Sequence, residues 1–322
     1  MPQETPEILI GVELGYQFIR IAAVNPSGEV VEFRRERLNP EAMTSSRSLV
    51  DQMLSVVKSL IADHSPKSQV LALGAAFPGV VEHSSFRVVN LPHAPGLNNL
   101  DLHGEFHNAF EVPVYIENNA NAMAYAEMQR GVAKGESDWL YLHIGTSVGA
   151  GLVLDGKLRR GKSGFAGEIG HINIEPEGLE CACGSFGCLE TMASAPNIVR
   201  RTKLRLRRDA TSSLSRLGTV GGFGYDDVIT AANNGDDFAR MMLDRTGHFI
   251  GRAVAGVINL LNLSLVAIGG PPDARPHLVK GIAAEAQRRA FAPAFNDCRI
   301  IAAELGEEAS VIGAALLAHK SI

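Results

Sequence analysis

Twice along its 322 residues the chain lays out three short apolar segments joined by tight turns and then alternates helix with strand. In the first pass "ILIGVEL", "FIRIAAVN" and "EVVEFRRERL" read as successive strands, with Pro26-Ser27-Gly28 turning the second into the third. The segment "SRSLVDQMLSVVKSLIADH" follows as a helix with Leu49, Met53, Val56, Val57 and Leu60 on one face. Next come the strand "VLALGAAFP", a helix near "LDLHGEFHNAF", the strand "VPVYIEN" and the helix "ANAMAYAEMQR", ended by Gly131. The second pass starts at "WLYLHIG" and continues through the hairpin "GAGLVLDGKLRRG", whose two-residue turn is Asp155-Gly156. A strand "HINIE", a cysteine loop and a long helical region lead to the helix "GRAVAGVINLLN" and the buried strand "SLVAIGG". The helix "PHLVKGIAAEAQRRAF", the strand "CRIIAAEL" and the helix "ASVIGAALLAHK" complete the chain. This repeated order predicts two related α/β domains facing each other across a cleft. No Ser/Gly-rich linker marks the join, which is expected near 118–135, and the last helix is expected to cross back. The predicted domains are therefore residues 1–120 with 306–322, and 121–305.

Composition excludes several classes. No apolar run reaches about 18 residues, so no membrane span is expected. The opening "MPQETPEILIGV" has neither a basic n-region nor a cleavage motif. With four cysteines and no export signal, the expected compartment is the cytoplasm, where thiols stay reduced. A formal net charge of −5 argues against a surface built mainly for nucleic acid. The basic run "RRTKLRLRR", Arg200 to Arg208, reads first as the solvated face of a helix starting near Ser194 and Pro196. A phosphate or nucleic-acid contact is the alternative.

Three of the cysteines crowd into "ECACGSFGCLE". With His171 they form H-x9-C-x-C-x4-C, a set of four soft or borderline ligands that suits tetrahedral zinc. Gly184 and Gly187 let the backbone curl round an ion. A closed set, His171, Cys181, Cys183 and Cys188, leaves no position for water, so the predicted zinc is structural. Cys298 sits beside a strand and reads as core.

The remaining motifs favour a polar ligand. "GTSVGAG" offers Gly145, the Thr146 hydroxyl, Gly149 and Gly151 to an anion. Gly269-Gly270, after a buried strand, can admit a flat ring. Asn118 and Asn119 lie at a strand-to-helix junction, where their amides can meet a polyol or simply cap the helix. Glu168, His171 and Glu190 bracket the cysteine loop, and a carboxylate pair with an imidazole suits neighbouring sugar hydroxyls.

Together "GEIGH", "CACGSFGCLE", "GTSVGAG", "FPGVV", "IENNANA" and "VIGAALLA" resemble the ROK family of repressors and sugar kinases over essentially the whole chain. The resemblance implies an actin-like ATPase (ribonuclease H-like) fold with a sugar, and in kinases Mg-ATP, bound between the domains. It implies zinc on the four residues named above, and a homodimer as the smallest assembly. Sugar contacts carry over to Asn118, Glu168, His171 and Glu190, and further to Gly79 and Asn90.

The chain departs from the family's kinases in one region. Those kinases carry Asp where this sequence has Asn119, and that Asp takes the proton from the attacking hydroxyl. A carboxamide has no such basicity, and losing a general base costs about 10²–10⁴ in rate. The kinase pattern D-x-G-G-T is here "ELGYQ": Glu13 replaces the Asp with an arm one methylene longer, Gly15 is kept, and Tyr16 and Gln17 stand where Gly and Thr leave room for phosphates. Ser147 also replaces a Gly. The combination resembles the sugar-sensing part of ROK repressors, whose winged helix-turn-helix would precede it. No room for one is seen before the strand at Ile8, so DNA contact is expected only through such an added segment. A weak hexose kinase is the alternative, with His143 or Glu117 as the nearest substitute bases.

Overall fold

In the computed structural model, residues 5–64, 67–82, 85–91, 98–207, 211–219 and 222–322 are described. Two five-stranded mixed sheets have the same topology. In the first, β1 (Glu7–Leu14), β2 (Phe18–Val24) and β3 (Val30–Arg37) form an antiparallel meander. The helix α1 (Ser46–His64) leads to β4 (Gln69–Phe77), parallel to β1. A small hairpin, β5 (Val80–Glu82) with β6 (Arg87–Asn90), and the helix α2 (Leu102–Ala109) precede β7 (Val114–Asn118), parallel to β4. The order is β3-β2-β1-β4-β7.

The helix α3 (Asn119–Arg130) opens the second pass. It is followed by the meander β8 (Trp139–Ile144), β9 (Val148–Leu154) and β10 (Lys157–Arg159). Then come α4 (Glu190–Ala193), α5 (Ala195–Leu206), α6 (Leu214–Thr219), α7 (Tyr225–Asn233) and the long α8 (Asp237–Leu261). The strand β11 (Leu265–Gly269) is parallel to β8. After α9 (Arg275–Arg289) and α10 (Ala292–Asn296), β12 (Arg299–Ala302) pairs parallel with β11, and α11 (Ala309–Lys320) ends the chain. The order β10-β9-β8-β11-β12 repeats that of the first sheet. This is the duplicated α/β architecture of the actin-like sugar-kinase fold. No helix among the described residues is long and apolar enough to cross a membrane.

Among the described residues, three large apolar cores and a small cluster of Ala76, Ala122 and Ala314 hold the layers. One face of the first sheet packs with α1 and α2, through Leu49, Met53, Leu60 and Phe106. One face of the second packs with α5, α7, α8 and α9. Between the two sheets lies a core built on α3 and α11, with Leu9, Ala124, Trp139, Ala267 and Val311. That middle layer is thin because small residues face each other. A Cβ on Gly11 or Gly74, which are register partners in β1 and β4, would fall 1.9 Å from the Val311 or Ala314 carbonyl oxygen of α11. The terminal helix α11 packs against β1, β4 and α3.

Two local readings need correction. The segment "HINIE" is not a strand: Ile169–His171 form a 3-10 turn, and beyond it only Asn173 bridges to Cys188. The chain there wraps the cysteine cluster, which breaks the two-residue alternation a strand requires. The β5–β6 hairpin is absent from the sequence reading because its strands are too short to show a period. By contrast, Asp155 and Gly156 have φ of 55° and 68°, as the two-residue hairpin turn requires.

Candidate functional site

Most of the residues singled out from the sequence lie at the carboxyl ends of parallel strands, where α/β sheets hold their ligands. Gly15 and Tyr16 follow β1, Gly79 follows β4, and Asn118 ends β7. Gly145 and Thr146 follow β8, and Gly269-Gly270 end β11. The duplication thus places these residues at matching ends of the two sheets.

Asn118 caps α3. Its Oδ1 accepts from the Ala120 and Asn121 amides at 2.8 and 3.2 Å, and its Nδ2 donates to the Gly79 carbonyl at 2.9 Å. It therefore both starts the helix and ties down the Gly79 turn. Asn119, the first residue of α3, is half-buried, and its amide has no hydrogen bond among the described residues. The side chain free to meet a ligand is Asn119, while that of Asn118 is largely committed. The side chain of Asn90 lies outside the described residues; its backbone pairs with Val80.

The second wall is built round the cysteine loop. Glu190, the first residue of α4, accepts from the Val148 amide at 2.9 Å through one carboxylate oxygen, leaving the other available. Glu168 stands 3.8 Å from His171 Nε2. Its carboxyl is held above the usual range, mainly by desolvation and further by Glu190, with His171 opposing. The other imidazole nitrogen, Nδ1, is 3.6 Å from Cys181 Sγ, and Cys183 and Cys188 sulfurs are 3.7 Å apart. A zinc ion with bonds of about 2.3 Å to sulfur and 2.0 Å to nitrogen sets tetrahedral edges of about 3.8 Å for S···S and 3.5 Å for S···N. All four ligand atoms lie within 4.8 Å of one another. His171, Cys181, Cys183 and Cys188 therefore fit one metal ion. A metal there would cross-link the loop and hold His171 with Nε2 turned to Glu168. Gly187, with φ of 65°, is required for the wrap, since a Cβ there would lie 1.7 Å from the Glu175 carbonyl.

The segments read as an anion site do not form an open loop. Tyr16 crosses from the first sheet, is hydrogen-bonded to Ser147 and faces the Glu190 carboxylate. Burial pushes its phenol up to about 12. Two of the residues that depart from the kinase pattern thus meet each other. Glu13 is buried and bound by Arg20 at 3.0 Å, so its carboxylate is already neutralised within the protein. Gly149 and Gly151 do not form an anion loop. They lie in β9 beneath α3, where their missing Cβ atoms would lie 3.2 Å and 2.4 Å from those of Ala120 and Ala124. Gly145 keeps its place at the turn, with its carbonyl accepting from Ala195 at 2.7 Å, and Thr146 is exposed. Gly270, at φ 116°, is packed so that a Cβ would lie 2.3 Å from the Ile144 carbonyl. Its own carbonyl accepts from the buried Arg275 at 2.9 Å.

Neither substitute base is well placed. Glu117 is bound to Arg160 at 2.7 Å and accepts from Asn121 at 3.0 Å. His143 is pushed down to about 4 by burial and by Arg20 and Arg275. It lies against Gly145, where a Cβ would be 2.7 Å from Nε2. The Glu117–Arg160 pair, which joins β7 to the end of β10, carries no sequence signal, because the basic pair before Gly161 reads only as a hairpin end.

Known proteins fall on both sides of the kinase boundary. The chain is 31% identical over 308 residues to the xylose repressor of Caldicellulosiruptor bescii, covering 95% of this chain and 76% of that protein. It is 32% identical over 313 residues to a glucokinase of Halalkalibacterium halodurans, covering 94% and 92%. Among solved structures, a ROK family transcriptional regulator homologous to Escherichia coli Mlc superposes with a TM-score of 0.87 at 28% identity, covering 98% of this chain and 78% of that one. A ROK glucokinase from Streptomyces griseus, solved with glucose and AMPPNP, gives 0.84 at 28% identity, covering 97% and 99%. With the ROK family profile matching residues 9–321, and with the duplicated sheets and the cluster of one histidine and three cysteines in place, the chain belongs to the ROK family.

Proposed function

We propose that this chain is a non-catalytic sugar-binding ROK protein, the effector-sensing part of a regulator of carbohydrate metabolism. The observation that carries the reading is the half-buried, unpaired Asn119 amide at the start of α3. It can hydrogen-bond a sugar hydroxyl but cannot take its proton. Gly79, Asn90, Asn118, Asn119, Glu168, His171 and Glu190 make up the proposed sugar site, with zinc on His171, Cys181, Cys183 and Cys188 as its structural brace. The lobes are residues 1–120 with 306–322, and 121–305. The protein acts in the cytoplasm as a homodimer, and any contact with DNA is made through a winged helix-turn-helix.

Support comes from the phosphate side. Tyr16 on Ser147 fills the approach that the triphosphate of a kinase needs, and Arg20 already neutralises Glu13. A second reading, an ATP-dependent hexose kinase of low activity, draws on the 32% identity to a glucokinase over most of both chains. There Glu13, Gly15, Gly145, Thr146, Gly269 and Gly270 would line the Mg-ATP site. Titration calorimetry of a panel of hexoses, pentoses and N-acetylhexosamines tests the proposal. Saturable binding of one sugar, weakened at least tenfold by Asn119→Ala and by Glu190→Gln, is expected. Binding indifferent to both substitutions places the sugar elsewhere and overturns it.

A further inference from the structure

The basic run on α5 is not used by the sugar cleft. Spacing of four puts Arg201 and Arg205 on one face of α5, with Leu204 beside them. On α8, Phe238, Met241, Met242 and Arg245 turn toward the same space. Together with Arg207 they line a groove of about 700 Å³. Its floor is apolar and sulfur-rich, and four guanidinium groups surround it. None of the four forms an ion pair among the described residues, although elsewhere most of the chain's described arginines do. Arg205, Arg207 and Arg245 are exposed.

Arg201 is different. Its Nη1 donates to the Met192 carbonyl at 2.6 Å and to Thr246 Oγ1 at 3.1 Å, while its Nη2 is buried without a partner. Its charge meets the face of the Phe249 ring, with Cζ 4.8 Å from the ring centre, but no carboxylate among the described residues, and the guanidinium is pushed down to about 10, by burial first and then by Arg245 and Arg200. A protein seldom keeps a half-buried guanidinium without an anion near it. The Met192 carbonyl belongs to α4, the turn that presents Glu190.

We infer that the α5–α8 groove is a second ligand site, for a small molecule with a phosphate on an apolar body, and that it is linked to the Glu190 turn through Arg201. Met and Phe side chains adapt to a hydrophobic body. Arginine forks match a phosphate bidentately. The groove lies apart from the sugar cleft, and its occupancy does not depend on the sugar reading.

Phenyl phosphate serves as the probe, titrated into the full chain at constant ionic strength. Saturable binding at one site per chain is expected, at least tenfold tighter than inorganic phosphate or benzyl alcohol alone. Arg205→Glu and Arg245→Glu, both at exposed positions, should each weaken it about tenfold or more, the loss of one charge-assisted contact. Hydrogen exchange of the α4 amides should slow when the probe is bound. No saturable heat, or binding unchanged by both charge reversals, overturns the site. A 20-base-pair duplex binding more tightly than phenyl phosphate, with the same arginine dependence, also overturns it in favour of nucleic acid. Unaltered exchange in α4 on saturation overturns the link to Glu190.

Discussion

Replacing Tyr16 by Gly should open the phosphate approach by an amount that follows from its contacts. For a triphosphate to enter between the β1–β2 and β8–β9 turns, the Tyr16 ring must leave Ser147. Breaking a neutral hydrogen bond costs about 0.5–1.5 kcal/mol. Moving a half-buried ring into water forfeits roughly half of the 1.5–3 kcal/mol that full burial of an aromatic supplies. The sum is about 2 kcal/mol, or roughly thirtyfold in affinity. Calorimetry with Mg-AMPPNP should therefore show very weak or no binding to the native chain. Tyr16→Gly should bind about thirtyfold more tightly, with sugar affinity changed by no more than a few-fold. Tight nucleotide binding to the native chain, or an unchanged affinity in Tyr16→Gly, would refute the obstruction.

Other consequences are independent of the nucleotide. Purified protein should carry one zinc per chain by elemental analysis, and Cys188→Ala, at a fully buried ligand, should lose it and melt at lower temperature. Glu127 is fully buried and accepts from the Val132 and Leu305 amides at 3.0 and 2.7 Å. Glu127→Gln sets a donor against one of them and should cost about 1–3 kcal/mol in denaturant unfolding. Gly74→Ala should cost about 1–3 kcal/mol, because α11 must move off β4. His143 titrates near 4 in the folded chain and near 6.5 unfolded. The unfolded state therefore binds the proton first, and stability should fall as pH drops from about 6.5 to 4, by on the order of 3 kcal/mol. His143→Gln should flatten that part of the pH–stability curve relative to the native chain.

The sequence made the duplication legible because both meanders and their following strands carry clear periods and turn residues. The β8 to β10 run is the plainest case, since Asp155-Gly156 can do little else than turn a hairpin. The cluster of one histidine and three cysteines was legible for a similar reason: few arrangements bring three thiols and an imidazole so close in sequence. What stayed hidden was tertiary. Gly149 and Gly151 read as an anion loop, yet their small size serves the approach of α3 to β9. The Tyr16–Ser147 contact joins residues that only the closed duplication brings together, and neither position alone signals the other. Asn118 and Asn119 look equivalent in the sequence. Only the helix start separates them, committing Asn118 as the cap and leaving Asn119 open.

The account turns on whether a hydroxyl is held beside Asn119 without being phosphorylated. The direct measurement is ADP release with Mg-ATP and the sugar identified by calorimetry, at saturating concentrations of both. A rate indistinguishable from the protein-free control is predicted. Sugar-dependent turnover near the enzyme median of about 10 per second would contradict it.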